Sequence, residues 1–528
     1  MSTTTSVSNS FGTRPGYSED SCLGLAHLIS EEFPLTFSVT GSPVTHLVST
    51  LDEISGGHHY VLNEKSAVEQ AFGASQAGQR CCVIMKHNGL GCALDSLANA
   101  GLHTIGGALI VIVGDDPGAV SSTSAVDSRQ LAEAAKIPLI EPSLAADCTV
   151  VLDAAIGLSE RHHTPVIVRV SNALHEPCSR VGVSDWLHGA PSASIGPQNA
   201  PHGHDRDAIA FGLTKGGRVQ YQHTVTLPRF YASSAPIASY SRCDSEGCNK
   251  GIVAFGAAAR YCEIPGTCRL VVRRSGPLPA TVVNFVERHS EVMIVEESVP
   301  HLEQQIRMAT PHTASTIRGR LSGHLPESGP LSREVVDLAV RCGAQVDPAI
   351  PEVKGTKVQP PGDHHVLYSS LGAIRRDGTF VAADVGSAVR LCYPPYNAAD
   401  ASLTLGSAGA VAVGAARAGR DAVGVLGDFA LLHSGLEAVL DAAANQVDVV
   451  FVVLVNGIQA KTGGQPVPAV DLAGLLRACG VRTIDRWRLD DLDEADTRAR
   501  ISSLIETKGP SVALVMSGAA AGAEAYRW

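Results

Sequence analysis

The sequence predicts an α/β protein whose parallel sheets are buried on both faces. Short apolar runs rich in branched residues alternate with amphipathic segments along most of the chain, as in βαβ units. Hydrophobic residues make up 45% of the chain and charged residues 18%, which permits a large core. At the usual domain size, 528 residues correspond to about three domains.

The first block of this pattern is predicted to span residues 21–188. Two amphipathic segments, Ser66–Ala77 and Leu94–Gly101, are predicted to be crossover helices. The predicted strands are short, apolar and rich in β-branched residues: Leu35–Val39, His59–Leu62, Cys81–Lys86, Ala108–Val113 and Pro165–Val170.

Two further blocks follow a stretch rich in Ser, Pro, Gly and His. That stretch, residues 189–247, is predicted to be a surface linker. The smaller block, residues 248–345, has one predicted helix, Thr281–Glu287, and the last block spans residues 346–528. Their predicted strands are Gly251–Phe255, Leu270–Arg273, Val292–Val295, Phe380–Ala383, Ala422–Leu426, Val447–Val455 and Val512–Val515.

Charge and composition argue against several classes of protein. The 52 acidic residues outnumber the 41 Lys and Arg residues, and no basic stripe typical of a nucleic-acid binder is visible. No apolar run reaches the roughly 18 residues of a membrane-spanning helix. Residues 1–20 are rich in Ser and Thr and lack the apolar region of a signal peptide, so we expect a disordered tail and a cytoplasmic protein. The 13 scattered cysteines are expected to be free thiols.

Two polar residues follow apolar strands in the last block. Asp428 and Asn456 should lie at one sheet edge, because the strands of a βαβ unit run in the same direction. Their oxygens suit Mg²⁺, and a helix expected to begin near His433, with Leu432, Leu436, Val439 and Leu440 on one face, would offer N–H groups to a diphosphate. The spacing of 28 residues is that of the thiamine-diphosphate motif Gly-Asp-Gly…Asn, with Phe429 at the third position. Taken alone, the motif is better explained by Asp428 capping a helix and Asn456 turning a loop.

The residues around this motif extend the likeness to other parts of the chain. Gly427–Gly435 and Asn456–Pro466 together resemble the large subunit of indolepyruvate ferredoxin oxidoreductase, and the likeness spans nearly all of residues 30–485. The other segments that carry it are Asn63–Glu69, Gly73–Ser75, Met85–Leu90, Asp115–Gly118, Asp127–Arg129, Lys136–Pro138, Ile294–Glu297, Glu303–Gln305, Asp384–Gly386 and Leu405–Ser407.

The resemblance implies an organisation into three domains. A pyrimidine-binding domain would occupy residues 21–188, a transketolase C-terminal-like domain residues 248–345, and a diphosphate-binding domain residues 346–528. The cofactor lies between two domain types that related enzymes often take from different chains, so a homodimer is expected. No nucleic-acid or membrane partner is expected.

The resemblance also implies a cofactor site for thiamine diphosphate and Mg²⁺. Asp428, Asn456 and the carbonyl of Ile458 would hold the metal. Glu64 occupies the position of the glutamate that activates the cofactor in that family. Without the resemblance, Glu64 would be interpreted as an ordinary acidic residue in the first turn of a helix. The remaining cofactor-binding positions are Gly386, Gly406, Ser407, Gly427 and Phe429.

Three histidines match positions where the family also has histidine. They are His87, His365 and His433, and imidazole is the natural proton carrier near neutral pH. For each of them, a structural role is at least as consistent with the sequence as a catalytic one.

The chain departs from the family in its cysteines. The family has a C-terminal region with two iron–sulfur clusters, whereas no cysteine follows Cys479 here. The family's Cys-Pro-Gly-Cys-x-His stretch is matched by Pro360–His365, without cysteine. Cys243 and Cys248 could bind a structural zinc or be free thiols. We therefore expect no iron–sulfur cluster.

Without an internal electron acceptor, a non-oxidative reaction is the favoured prediction. The chain would decarboxylate a 2-oxo acid, aromatic and similar to indolepyruvate, to an aldehyde, or join it to a second carbonyl as an acyloin. The first alternative is a 2-oxo acid oxidoreductase whose acceptor lies on a partner subunit. The second is a catalytically silent regulatory paralogue.

Overall fold

Most of the predicted apolar runs form strands, and the described residues arrange these strands in three β-sheets. The computed structural model describes residues 21–103, 105–119, 122, 124–143, 147–171, 215–232, 238–241, 247–343, 358 and 362–517. The strand bounds are β1 Leu35–Ser38, β2 His58–Tyr60, β3 Cys81–Lys86, β4 Leu109–Gly114, β5 Leu139–Ile140, β6 Val166–Val170, β7 Ala238–Ser241, β8 Lys250–Phe255, β9 Cys268–Val272, β10 Arg274–Ser275, β11 Glu291–Val295, β12 Thr316–Arg318, β13 Phe380–Ala383, β14 Ala401–Ser402, β15 Ala422–Gly427, β16 Val449–Val455, β17 Thr483–Arg488 and β18 Pro510–Met516.

Helices connect most of the parallel strands. None of those described combines the length and the apolar character that crossing a bilayer requires. The α-helices are Ser21–Glu32, Thr45–Ile54, Glu64–Gln76, His87–Leu102, Ser128–Ala135, Cys148–His162, Lys215–Tyr221, Leu227–Ala232, Ala280–Glu287, His301–Ala309, Arg333–Cys342, His365–Arg376, Ser407–Arg417, Asp428–Ala430, Leu436–Ala444, Leu472–Ala478 and Glu494–Ile505.

The chain divides into two compact units on either side of residue 349. Within the described residues, the first unit contains a sheet of strand order β10-β5-β6-β4-β3-β1-β2 and a second of order β12-β11-β8-β9-β7. The second unit contains the sheet β14-β13-β15-β16-β18-β17. The pairings between the named strands are parallel except β10 with β5 and β7 with β9, so the predicted α/β class is confirmed.

The burial of the central strands explains their continuous apolar sequences. Every residue of β4 is buried, and its side chains alternate between two hydrophobic clusters, with Val111 in one and Ile110 in the other. A strand covered on both faces by helices must be apolar throughout, and this produces a continuous run instead of alternation. In the second unit, β16 is likewise buried over its whole length.

Parts of the predicted linker, residues 189–247, have regular secondary structure where the structure describes them. Residues 215–232 are helical, with a π-helical turn at Gln222–Thr226 between the two α-helices. Strand β7 pairs antiparallel with β9 at the edge of the second sheet. Gly and Ser are poor formers of helices and strands, so a segment rich in them is predicted to be a loop. An edge strand such as β7 is held by backbone hydrogen bonds to its neighbour, and amino-acid composition does not reveal such pairing. The described structure does not test the predicted domain boundaries.

A buried charge network joins the two sheets of the first unit. The Arg129 guanidinium is fully buried, lies 2.6 Å from the Asp127 carboxylate and 2.5 Å from that of Glu296, and donates to the carbonyl of Glu297. Burial disfavours the charged form of Asp127, but the Arg129 guanidinium beside it holds the pKa of Asp127 well below its usual range. Burial raises the pKa of Glu296. These are structural ion pairs that fix the two sheets to each other.

Candidate cofactor site

Three polar residues lie at one edge of the sheet in the second unit. Strands β13, β15 and β16 are neighbours and run parallel, so their carboxyl ends lie on the same side. Asp384 follows β13, Asp428 follows β15 and Asn456 follows β16. The carboxyl edge of a parallel sheet is the usual ligand-binding edge in α/β folds. The structure thus brings together the two residues predicted for the metal site and adds a third.

Asp428 is 1% exposed and accepts hydrogen bonds from three backbone groups. Its Oδ1 accepts from the N–H of Phe429 at 2.8 Å, and its Oδ2 accepts from the N–H groups of Asn456 at 3.0 Å and Gly457 at 2.7 Å. Burial raises the pKa of Asp428, and these backbone donors oppose the change. The carboxylate therefore has a fixed orientation at the junction of β15 and β16.

The loop after β16 carries the other two predicted metal ligands. The Asn456 Oδ1 accepts from the N–H of Ile458 at 3.1 Å, and the carbonyl of Ile458 accepts from the N–H of Ala460 at 3.1 Å. Gly457 has a φ of 71°, a conformation that suits glycine, and Ile458 is 38% exposed. The positive φ of Gly457 turns the chain directly after the strand, between Asn456 and Ile458.

The donor set fits Mg²⁺ and a diphosphate. No group of three or more His, Cys, Asp and Glu side chains in the described ranges could hold a metal ion. A metal site at this edge would use the amide oxygen of Asn456 and the carbonyl of Ile458 beside the Asp428 carboxylate. These are hard oxygen donors, each with lone pairs beyond the hydrogen bonds described, and Mg²⁺ usually completes such a set with phosphate and water.

The helix after β15 begins earlier than predicted. Its first residue is Asp428, and the expectation of a helix start near His433 is wrong. His433 instead lies in a π-helical turn, Leu431–Gly435, which precedes the helix Leu436–Ala444. Leu440, expected on the buried face, is 47% exposed because the π turn rotates the helix relative to a regular repeat.

Asp384 belongs to this site but was not predicted as a site residue. It is 1% exposed, its Oδ2 accepts from the N–H of Gly406 at 2.7 Å, and its Oδ1 accepts from the N–H of Val385 at 2.8 Å. Burial raises its pKa to about 6. The available signal was the same as for Asp428, an aspartate directly after a buried strand.

Gly406 shows why glycine is needed at one predicted position. Its φ is 82°, and a Cβ there would lie 2.1 Å from the Ser434 Oγ and 2.9 Å from the carbonyl of Ala430. By contrast, a Cβ on Gly386 would meet no atom within 4 Å. The Ser407 hydroxyl donates to the carbonyl of Thr404 at 2.8 Å, so it closes a local turn.

The remaining predicted residues of the second unit are placed as follows. Gly427 is the last residue of β15, and Phe429 is buried. His433 is buried and its Nδ1 lies 2.9 Å from the Ser434 Oγ. His365 begins the helix His365–Arg376, and its Nδ1 lies 3.1 Å from the Tyr396 hydroxyl. Their catalytic roles stay predictions.

Glu64 and His87 lie in the first unit. Glu64 is the first residue of the helix Glu64–Gln76, is 6% exposed and packs on Gly89, where a Cβ would lie 2.6 Å from the Glu64 Oε1. His87 is buried, with Nδ1 3.2 Å from the carbonyl of Gly114 and Nε2 2.9 Å from the carbonyl of Ser124. Both ring nitrogens therefore face backbone acceptors.

The cysteines considered for zinc are only partly described. Cys243 lies outside the described residues. The Cys248 thiol donates to the carbonyl of Gly266 at 3.2 Å, as a free thiol in a loop would.

Comparison with known proteins adds to this geometry. Residues 384–515 match the family model "Thiamine pyrophosphate enzyme, C-terminal TPP binding domain". This range begins at Asp384 and includes Asp428, Asn456 and Ile458.

Curated relatives match most of the chain. The chain is 27% identical over 492 residues to "Indolepyruvate oxidoreductase subunit IorA" of Methanothermobacter marburgensis, covering 84% of this chain and 77% of that protein. It is 26% identical over 473 residues to the protein of the same name from Archaeoglobus fulgidus, covering 81% and 73%. These matches confirm the resemblance found in the sequence.

A solved structure also aligns with part of the chain. The 2-oxoglutarate:ferredoxin oxidoreductase from Magnetococcus marinus is 15% identical and covers 62% of this chain and 64% of its own, with a TM-score of 0.44. A likeness of this size supports no conclusion about fold or function.

The preference for a non-oxidative decarboxylase or carboligase is wrong. The relatives that cover over four fifths of the chain are named as subunits of an oxidoreductase. The missing cysteines misled the prediction, because electrons can leave to a group on another chain. The alternative that places the electron acceptor on a partner subunit agrees better with these relatives.

Proposed function

We propose that this chain is the thiamine-diphosphate-binding subunit of a 2-oxo acid oxidoreductase, with the electron acceptor on a partner subunit. The observation that carries the proposal is the set Asp428, Asn456 and Ile458 at one sheet edge, in a chain whose relatives are named as oxidoreductase subunits. An aromatic 2-oxo acid similar to indolepyruvate is the proposed substrate, since the names of those relatives refer to it.

The second unit is proposed to hold the charged end of the cofactor. Asp428, Asn456 and the carbonyl of Ile458 would bind Mg²⁺. The turn at Gly406, held by Asp384, leaves the backbone at the start of the helix Ser407–Arg417 free of a Cβ. When bound, thiamine diphosphate supplies an electron sink for the pair released as CO₂ leaves.

Glu64 is proposed to hold a proton at N1′ of the aminopyrimidine. Its burial and its close approach to Gly89 support this role, because proton transfer needs a carboxyl held at a stated atom. His87 is a weaker candidate for proton transfer, because both of its ring nitrogens face carbonyl oxygens. We therefore assign His87 a positioning role at the end of β3 and leave the proton to Glu64.

The proposed reaction releases CO₂, transfers the acyl group to a nucleophile such as a thiol, and passes two electrons to the acceptor. Because no acceptor group is assigned to this chain, a second subunit is part of the proposal. A homodimer or larger assembly is also proposed, from the shared cofactor sites of related enzymes.

The test compares the purified chain with and without an electron acceptor. Indolepyruvate, a thiol as acyl acceptor, thiamine diphosphate and Mg²⁺ are supplied, and products are identified by mass spectrometry. We expect turnover only when a viologen dye or a co-purified partner subunit accepts electrons, with two electrons passed per CO₂. Aldehyde or acyloin formed at a comparable rate without any acceptor would contradict the proposal.

A further inference from the structure

The first sheet has a topological switch point that has no role in the site described so far. In its strand order, β2 flanks β1 on one side and β3 and β4 follow on the other. The connections from the carboxyl ends of β1 and β3 therefore leave in opposite directions. In open α/β sheets this switch point is where ligands bind.

A lysine side chain lies at this switch point. Lys86 is the last residue of β3, and its stem lies directly over Gly41 in the loop after β1. A Cβ at position 41 would lie 2.6 Å from the Lys86 Cδ and 3.0 Å from its Cγ, so a larger residue would displace the lysine. Lys86 as a whole is half-buried.

The groups that face Lys86 come from the neighbouring strand ends. Asp116 follows β4, and Glu64 begins the helix after β2; both are buried. Burial lowers the pKa of Lys86, while the charges of Asp116 and Glu64 oppose that change. Among the described residues, the charges of Asp116 and Glu64 are the interactions found for the ammonium. It is a cation beside the proposed catalytic glutamate with capacity for another anion.

We propose that Lys86 binds the carboxylate of the 2-oxo acid substrate, with Gly41 providing the space for its stem. This rests on the proposed function, and it adds a substrate-binding residue to it. A 2-oxo acid must bring its own anion next to Glu64, and a compact ammonium at the switch point supplies the matching charge. The neighbouring His87 cannot take this role with both ring nitrogens on carbonyls.

The test separates recognition of the carboxylate from a structural effect. Binding of indolepyruvate and of its methyl ester is measured by calorimetry on the cofactor-loaded chain, for wild type, Lys86→Met and Lys86→Arg. We expect Lys86→Met to weaken binding of the acid at least about tenfold, since a hydrogen bond to a charged group is lost. Binding of the ester and of thiamine diphosphate should be unchanged, and Lys86→Arg should restore much of the affinity for the acid.

Lys65→Met is the matched control. Lys65 is in the same unit but is half exposed and pairs with Glu69, so its loss should leave binding of the acid unchanged. In steady-state assays with the acceptor, Lys86→Met should raise KM much more than it lowers kcat. Equal weakening for acid and ester, or no change for the acid, would overturn the assignment.

A second measurement on the wild-type chain avoids any folding defect of the variants. Lysine acetylation by acetic anhydride is followed by peptide mass spectrometry. Indolepyruvate should protect Lys86 but not Lys65, and the ester should protect neither; no protection by the acid would overturn the assignment. If wild type binds neither thiamine diphosphate nor indolepyruvate, the proposed function itself fails. If it binds both and Lys86→Met binds the acid equally well, only the role of Lys86 fails.

Discussion

The Asp428 Oδ2 accepts a 2.7 Å hydrogen bond from the backbone N–H of Gly457, which lies 29 residues further along the chain. This contact ties the end of β15 to the turn after β16. It brings the buried carboxylate to the loop that carries Asn456 and Ile458, whose amide and carbonyl oxygens are donors of the kind that Mg²⁺ prefers.

Gly406→Ala should destabilise the second unit by at least about 2 kcal/mol, because it combines a φ of 82° with a Cβ 2.1 Å from the Ser434 Oγ. Urea unfolding measures the change. Gly414→Ala is the control in the same helix. That position is exposed, and a Cβ there meets no atom within 4 Å, so alanine should stabilise by about 0.5–1 kcal/mol. Equal effects of the two substitutions would contradict this account of Gly406.

Asp384 should make stability fall as pH rises from about 4 to 6. Burial raises its pKa from 3.8 to about 6, so protonation favours the folded state. The stabilisation is complete below the pKa that Asp384 has in the unfolded chain. It is lost as pH rises through the pKa of the folded state, and the free energy of unfolding then falls by about 3 kcal/mol. In urea unfolding of the cofactor-free chain, the stability of Asp384→Asn should not show this fall with rising pH.

An aspartate with the opposite shift provides the control for this pH dependence. Asp448 is nearly exposed, and its hydrogen bond with Lys508 lowers its pKa. Its contribution to stability is present above the pKa that Asp448 has in the unfolded chain and is lost as pH falls. Asp448→Asn should therefore change the dependence of stability on pH only weakly, and in the direction opposite to Asp384→Asn. Parallel profiles for wild type and Asp384→Asn would show that Asp384 is not responsible.

Arg129→Met should destabilise the first unit by about 3–5 kcal/mol, because it leaves the buried carboxylates of Asp127 and Glu296 without their partner. Thermal unfolding reports the change. Arg417→Met removes one partner of an exposed pair with Asp441 and should change stability by less than about 1 kcal/mol. A small effect of Arg129→Met would mean that the network does not hold the two sheets together.

Glu64→Gln should separate cofactor binding from catalysis. Glutamine has nearly the same size and keeps the packing on Gly89, but it cannot hold the proton, so turnover should fall by about 10²–10⁴ while binding of thiamine diphosphate stays similar. Glu69→Gln, an exposed change on the same helix, should leave turnover unaffected. Full activity of Glu64→Gln would remove the catalytic role of Glu64. A wild type without turnover would instead support the alternative of a silent paralogue.

The sequence predicted the strands that are buried on both faces, because burial there requires continuous apolar runs. It missed β17, Thr483–Arg488, since this edge strand is only partly buried and carries charged residues. It also missed the π turn at His433, because a single inserted residue per turn leaves no clear trace in periodicity.

Part of the site was predictable for the same physical reason. Asp428 and Asn456 follow apolar strands that are adjacent along the chain, so their meeting at one edge follows from the parallel arrangement. Asp384 and Lys86 depend on which strands become neighbours in the sheet. The pairing of Arg129 with Glu296 spans 167 residues and depends on how two sheets pack, which no local pattern encodes.

The most direct test of the central claim is calorimetric titration of thiamine diphosphate, with and without Mg²⁺, into wild type and Asp428→Asn. We predict Mg²⁺-dependent binding to wild type, and a loss of at least about tenfold in Asp428→Asn, since an amide replaces a charged metal ligand. Binding of equal strength in the variant, or binding to wild type that does not depend on Mg²⁺, would contradict a metal-diphosphate site at this sheet edge.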